Sequence, residues 1–234
     1  MAAKKKPFTP EPGMAPPEKF DPEQFYGIQL DEEQIKFAAA VWDKNTDIVF
    51  VNAKAGVGKT TIATGVANLL VQYGLYNNLI YIMSPYGERK QGYMPGTITE
   101  KSAVYFEAFY QALIQCNVNP ITAINSEPMT AKNDGYITCI TDTFLRGTNL
   151  DDAVIIIDEA QNYTTAQLKK VLTRIGSKTK VIVIGHDQQC DLDNADASGF
   201  LRYMEHFRGQ ERAAFCELRT NHRGWISRHA DELN

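Results

Sequence analysis

No apolar run in the 234 residues approaches the length of a membrane span, so the chain reads as having no membrane-crossing helix. The N-terminus, Met1-Ala2-Ala3-Lys4-Lys5-Lys6-Pro7, is positively charged but lacks the apolar segment that a secretory signal needs. Close cysteine pairs are missing as well. Cys116, Cys139, Cys190 and Cys216 are scattered, which argues against a disulfide frame or a zinc site and suits buried thiols in a reducing cytoplasm. His222 and His229 have no Cys or Asp partner pattern and read as ordinary surface or core residues. The net charge of -4 leaves no basic surface for a polyanion, so any nucleic-acid contact must come from local basic patches. Proline is sparse beyond the start: six of the ten lie at or before Pro22, in a stretch poor in apolar residues. Residues 1–22 therefore read as a flexible tail, with Lys4–Lys6 a solvated charge run. Residues 23–234 read as one folded domain, long enough for one well-buried core.

What is present centres on Ala53-Lys54-Ala55-Gly56-Val57-Gly58-Lys59-Thr60. An apolar run, Ile48-Val49-Phe50-Val51, precedes it, and a helical pattern from Thr61 to Leu70 follows. Strand, glycine loop, Gly-Lys-Thr and helix make the phosphate-cradling P-loop arrangement. Backbone N–H groups over Ala55, Gly56, Val57, Gly58, Lys59, Thr60 and Thr61 would face the phosphates of ATP, helped by the positive end of the helix dipole. Lys59 would reach the β- and γ-phosphates, and the Thr60 hydroxyl would hold Mg²⁺. The first position is Ala53 where the strict pattern has glycine, so the backbone there must suit a residue with a Cβ.

A second stretch, Ala153 to Ile157 and then Asp158-Glu159-Ala160-Gln161, is a β-branched run ending in two acids. Such a run suits a central parallel strand, and ligands of open α/β sheets gather at the carboxyl ends of strands. Asp158 is the expected partner of the Thr60-bound Mg²⁺, and Glu159 the expected base for the attacking water. Alternation along the strand end would turn the two acids toward different targets. A further run, Lys180 to Gly185, leads to Gln189, an amide placed to contact the γ-phosphate. Around these lie a helix from about Leu30, with Asp31 as N-cap and a stripe through Ile35, Ala38, Ala39 and Trp42, and strands at Leu79–Met83 and Tyr136–Ile140. A helix from Thr165 to Arg174 would be closed by a left-handed Gly176. The fold class is α/β, a mostly parallel sheet with helices on both faces. Gln34 carries a donor and an acceptor that match the edge of adenine. Tyr86, Arg89, Lys90 and Tyr93 mix rings with cations, the chemistry of single-strand binding, although the same residues would also make a merely polar loop.

From about Leu30 to the end, the order of these motifs resembles the PhoH-like family, compact relatives of superfamily 1 helicases. Gly87 to Gly96 followed by Glu100-Lys101 is similar to the family's GE-x-x-GF-x-PG…EK signature, and Phe144-Leu145-Arg146-Gly147 to its F-x-RG segment. Asp158 to Gln161 resembles the DEAQ box, and Leu172 to Gly176 the LTRIG segment that holds Arg174. Gly185 to Leu192 resembles GD-x-x-Q-x-DL, with His186 in place of the Asp. Leu218 to Arg223 resembles L-x-x-N-x-R, which implies that Arg223 meets the γ-phosphate.

The resemblance implies a RecA-like P-loop NTPase that hydrolyses ATP with Mg²⁺ and acts on single-stranded RNA or DNA, with Arg146 joining the candidate contacts. Short family members occur in bacteriophages, which would put this one in the host cytoplasm. No second RecA-like domain follows Arg223, so a homo-oligomeric ring is expected, a hexamer being the leading size. Arg223 is then the first candidate for a residue supplied to a neighbour's site, and Arg174 the second. The rivals are an ATP-gated binding module with weak turnover and a small-molecule kinase. The adjacent Asp158-Glu159 pair favours attack by water over the kinase.

Overall fold

The computed structural model describes residues 10–11, 13–84, 106–126, 134–142, 145 and 150–230. Among them, six strands form one sheet: β1 (Ile48–Ala53), β2 (Asn78–Met83), β3 (Ile137–Thr141), β4 (Ala153–Asp158), β5 (Thr179–Gly185) and β6 (Ala213–Leu218). Their order is β3-β2-β4-β5-β1-β6, and every pairing is parallel. β5 thus separates the P-loop strand β1 from the acid-bearing strand β4. All carboxyl ends share one edge, so the loop after β1, the acids after β4 and the loop after β5 meet there.

Alternation along each buried strand builds two cores. Val49, Val51, Val154, Ile156, Ile182 and Ile184 face one side. There they pack against α1 (Glu32–Trp42), α2 (Lys59–Gln72) and α3 (Glu107–Gln115). Phe50, Ile155, Ile157, Val181 and Val183 face the other side. A short helix α4 (Pro120–Ala123) precedes β3, and α5 (Thr165–Leu172) and α6 (Phe200–Phe207) cover the second face through Leu168, Val171, Phe200 and Met204. α7 (Trp225–Ala230) follows β6. A fully buried Phe50 or Phe37 is worth roughly 1.5–3 kcal/mol of transfer free energy.

Asp31 caps α1 as the sequence suggests: its carboxylate accepts the Gln34 N–H and the Gln34 amide oxygen accepts the Asp31 N–H, a reciprocal capping box. The buried stripe, however, runs through Gln34, Phe37, Ala38, Val41 and Trp42, while Ala39 is exposed. Spacing alone cannot choose between two stripes one position apart; packing on β1 and α2 does. Gly176 is not the left-handed cap that the sequence suggests. Its φ is not positive; its N–H instead donates to Leu150 O at 2.6 Å, where the chain pairs with the segment entering β4. Pro17 and Phe20, within the stretch read as tail, contact the core: the Trp42 indole donates to Pro17 O at 3.0 Å, and Phe20 lies 5.8 Å from Phe25. Among the described residues, no helix is long and apolar enough to cross a membrane.

Lys180 gives the fold a pH dependence. It is buried in β5 and donates to Asp43 O at 2.6 Å and to Thr46 O. Burial lowers its ammonium from 10.5 to about 8, and the nearby Asp47 and Asp43 offset this only in part. The native state then holds this proton less tightly than the unfolded chain, so the cost is fully present below pH 8 and is relieved as pH climbs toward 10.5. Relative to Lys180→Met, the native protein should gain up to about 3 kcal/mol across that window, read from urea midpoints at each pH. A constant difference would show that the buried ammonium carries no such cost.

Candidate nucleotide site

The glycine loop works because two residues sit where a side chain cannot. Gly56 and Gly58 have φ of 77° and 79°, the left-handed region that glycine adopts without a Cβ clash. A Cβ on Gly56 would also fall 2.6 Å from Asn221 Oδ1 and 2.9 Å from Arg223 Cγ and Cδ. Ala53 is no defect. It is the last residue of β1, extended and paired with Leu218, so its Cβ fits. Lys59 and Thr60 open α2, at the end where helix N–H groups lack internal partners and favour anions.

A cavity of about 790 Å³ lies at this end. Ala55, Gly56, Gly58, Lys59, Thr60 and Thr61 form its floor, and Glu159, Gln189, His222 and Arg223 face them. Gln34, against the loop, also lines it with Phe25, Ile28 and Leu30, an apolar slot just before α1 that the sequence alone did not reveal. Its only sequence signal was the apolar residues flanking the Asp31 cap. The Gln34 amide is partly engaged: its nitrogen donates to Val57 O at 2.9 Å and its oxygen serves the capping box, leaving one donor and one lone pair free. Val57 turns its side chain into the core, so its part in a phosphate cradle would be through its backbone N–H alone.

The two acids meet the loop as expected, by a different local geometry. Asp158 ends β4 fully buried and accepts Thr60 Oγ1–H at 2.9 Å, Tyr81 Oη–H at 2.8 Å and the Glu159 N–H at 2.8 Å. Glu159 is not on the strand. It takes φ 50° and ψ 43°, a left-handed turn that costs a residue with a Cβ roughly 1–2 kcal/mol. That turn, not strand alternation, parts the two carboxylates. Glu159 pairs with Lys59 Nζ at 3.2 Å and accepts the Gln161 amide N–H at 2.6 Å. Gln161 in turn accepts the His186 N–H at 2.9 Å. Asn162 and Asp191 exchange two further bonds, which hold the loop bearing Gln189 against β4.

Burial, then the charge of Glu159, pushes the Asp158 carboxyl above its usual range; Lys59 and the Tyr81 and Glu159 hydrogen bonds oppose this. Tyr81 was not picked out from the sequence. It sits in β2, stacked on Phe109 at 4.2 Å, and reaches Asp158 because β2 is the neighbour of β4.

The segment after β6 closes over the loop. The His222 N–H donates to Gly56 O at 3.1 Å, and His222 Nε2 lies 2.8 Å from Asp31 Oδ2. Glu33 accepts the Arg219 N–H at 2.7 Å, and Arg219 itself is exposed and paired with Glu217. Arg223 therefore lies in the site of its own chain. Arg174, advanced from the sequence as catalytic, does not reach this site. It follows α5, and its carbonyl accepts the Leu150 N–H beside the start of β4, at the far end of the strands. Tyr86, Arg89, Lys90, Tyr93 and Arg146, and most of the two signature segments around them, lie outside the described residues.

A parallel sheet carrying a glycine loop at the head of a helix, with Thr60 bonded to a strand-end aspartate, defines a P-loop NTPase fold. Solved structures share the architecture. The large terminase of bacteriophage HK97 superposes with a TM-score of 0.52 at 15% identity, covering 88% of this chain and 43% of that one. The Sulfolobus solfataricus SWI2/SNF2 ATPase core domain does so at 0.50 and 16%, covering 95% and 49%. Residues 29–229 match the PhoH-like protein family, and the chain belongs to it. It is 32% identical over 185 residues to Protein PhoH of Escherichia coli K12, across 79% of this chain and 51% of that protein. It is 34% identical over 187 residues to the PhoH-like protein of Bacillus subtilis, across 79% and 56%. The chain thus spans about half the length of the curated relatives it matches.

Proposed function

We propose that this protein binds ATP with Mg²⁺ in the cavity at the head of α2 and hydrolyses it, and that hydrolysis is coupled to binding or remodelling single-stranded RNA or DNA. The observation that carries the reading is the convergence of Lys59, Thr60, Asp158, Glu159, Gln189 and Arg223 on one cavity end. The triphosphate would lie along the N-terminus of α2, with the base toward Gln34 and Leu30. Thr60 and Asp158 suit Mg²⁺: a hydroxyl and a buried carboxylate already touch, and the two carboxylates of Asp158 and Glu159 face the single charge of Lys59. Among the described residues, no cluster of three or more His, Cys, Asp or Glu would hold a metal alone. This fits an ion that arrives with the substrate phosphates. When bound, Mg²⁺ would neutralise charge on the β- and γ-phosphate oxygens.

Glu159 has two tasks in sequence. In the ion pair with Lys59 its carboxylate is occupied. A γ-phosphate drawing Lys59 toward itself would release the Glu159 carboxylate, still anchored by Gln161, to take a proton from the attacking water. Gln189 and Arg223 would bind the γ-phosphate as charge builds on it. Trp225 and Ile226 are exposed beside Arg223, which supports assembly into a homo-oligomer, with a hexamer the leading size and Arg174 the remaining candidate to act in trans. Tyr86, Arg89, Lys90, Tyr93 and Arg146 remain the sequence candidates for the strand, and a cytoplasmic location follows from the same reading.

The test is steady-state ATP hydrolysis with and without single-stranded RNA and DNA across a salt series. Stimulation by one polymer, fading as salt rises, is expected. Hydrolysis indifferent to both polymers would overturn the nucleic-acid coupling, and absence of hydrolysis would overturn the whole reading. Mass photometry of the same preparation with ATP should show oligomers, and monomers alone would remove the ring.

A further inference from the structure

A second cavity, of about 270 Å³, opens on the same sheet edge over β5, β1 and β6. Its buried floor is Ala53, Leu218 and His186. His186 is 5% exposed, and neither ring nitrogen has a hydrogen-bond partner. Unpaired buried polar atoms are uncommon and costly, roughly 1–3 kcal/mol each. The rim carries Lys54 and Arg219 against Asp187 and Glu217, so its charges cancel. A charge-balanced rim is poorly suited to a free anion. An imidazole on a small apolar floor instead suits a flat, uncharged group with donors and acceptors on its edge. The volume would hold about nine waters at ~30 Å³ each, room enough for a base.

We propose that this cavity receives an unstacked base of a bound single-stranded nucleic acid, with the His186 imidazole, whose nitrogens are both covered, turning toward the cavity to hydrogen-bond the base edge. This rests on the nucleic-acid reading above. Bases of single strands are free to splay out and be held in this way. The His186 backbone N–H also donates to Gln161, which holds Glu159, so the captured base would sit three hydrogen bonds from the catalytic carboxylate.

The experiment uses the wild-type protein and labelled oligouridylate and oligothymidylate, each carrying one photoreactive thio-base, with the crosslinked peptide mapped by mass spectrometry. Adducts within residues 52–54, 186–188 or 217–219 are expected. Adducts only elsewhere would overturn the base site and leave the nucleic-acid reading standing. Failure of both oligonucleotides to bind in fluorescence anisotropy would overturn both. His186→Leu should weaken binding about tenfold to a hundredfold, while His186→Asn, which keeps a donor and an acceptor, should stay within a few-fold of wild type. Because His186→Leu removes only unpartnered nitrogens, its melting temperature should not fall. Unchanged affinity in a folded His186→Leu would overturn the proposal.

Discussion

Glu159→Gln should lower ATP turnover by roughly two to four orders of magnitude while ATP still binds. An amide is close in size to the carboxylate and can still meet Gln161, so the left-handed turn at Glu159 should persist. It cannot accept a proton from water, and it no longer neutralises Lys59. Lys59 now pairs with Glu159 at 3.2 Å, and any γ-phosphate must compete for it. Removing that rival should tighten ATP binding as turnover collapses. Single-turnover hydrolysis and the affinity for a fluorescent ATP analogue separate the two effects. Normal turnover would place the base elsewhere; weaker binding would show that Glu159 organises the loop instead of competing with the phosphate.

Asp158→Asn should move stability and activity in opposite directions. Asp158 is buried, and both burial and Glu159 push its carboxyl up. A raised carboxylate pKa means that the folded state holds the proton more tightly than the unfolded chain. Stability then falls as pH rises above the ordinary Asp value, and the cost is complete once pH has passed the folded one. Asparagine removes the charge and can still accept one bond from Tyr81 or Thr60. Without nucleotide, the melting temperature should rise by a few degrees, about 2–4 °C per kcal/mol for a chain of this size. Mg²⁺-dependent hydrolysis should fall at least a hundredfold, because a neutral amide is a poor partner for the ion. A lower melting temperature in the nucleotide-free variant would mean that the three hydrogen bonds to Asp158 outweigh its charge. A functional site that costs stability in this way is common in enzymes.

The elements that were legible beforehand depend on neighbours a few residues apart. The P-loop could be read because Gly56, Gly58, Lys59 and Thr60 follow a strand and open a helix. The Asp31 cap and the strand ending in Asp158 could be read for the same reason. β6 and α6 escaped: Ala213-Ala214-Phe215-Cys216 is too short and weakly patterned to stand out, and Phe200–Phe207 follows a stretch of loop residues. The family signature was recognisable as an order of motifs, although much of it lies outside the described residues.

What stayed hidden depends on which strands are neighbours. Tyr81 reaches Asp158 only because β2 lies beside β4. Gln161 meets the His186 backbone because β5 lies between β4 and β1. Arg223 covers Gly56 because β6 pairs with β1, while Arg174, the second candidate to serve a neighbour's site, emerges at the other end of the strands. Backbone conformation and hydrophobic alternation are local properties that a linear chain displays. Distances between side chains 77 or 98 positions apart arise only when the sheet closes. The residues suited to a phosphate were thus written in the chain, and the packing of β5 and β6 against β1 decided which of them meet at one cavity.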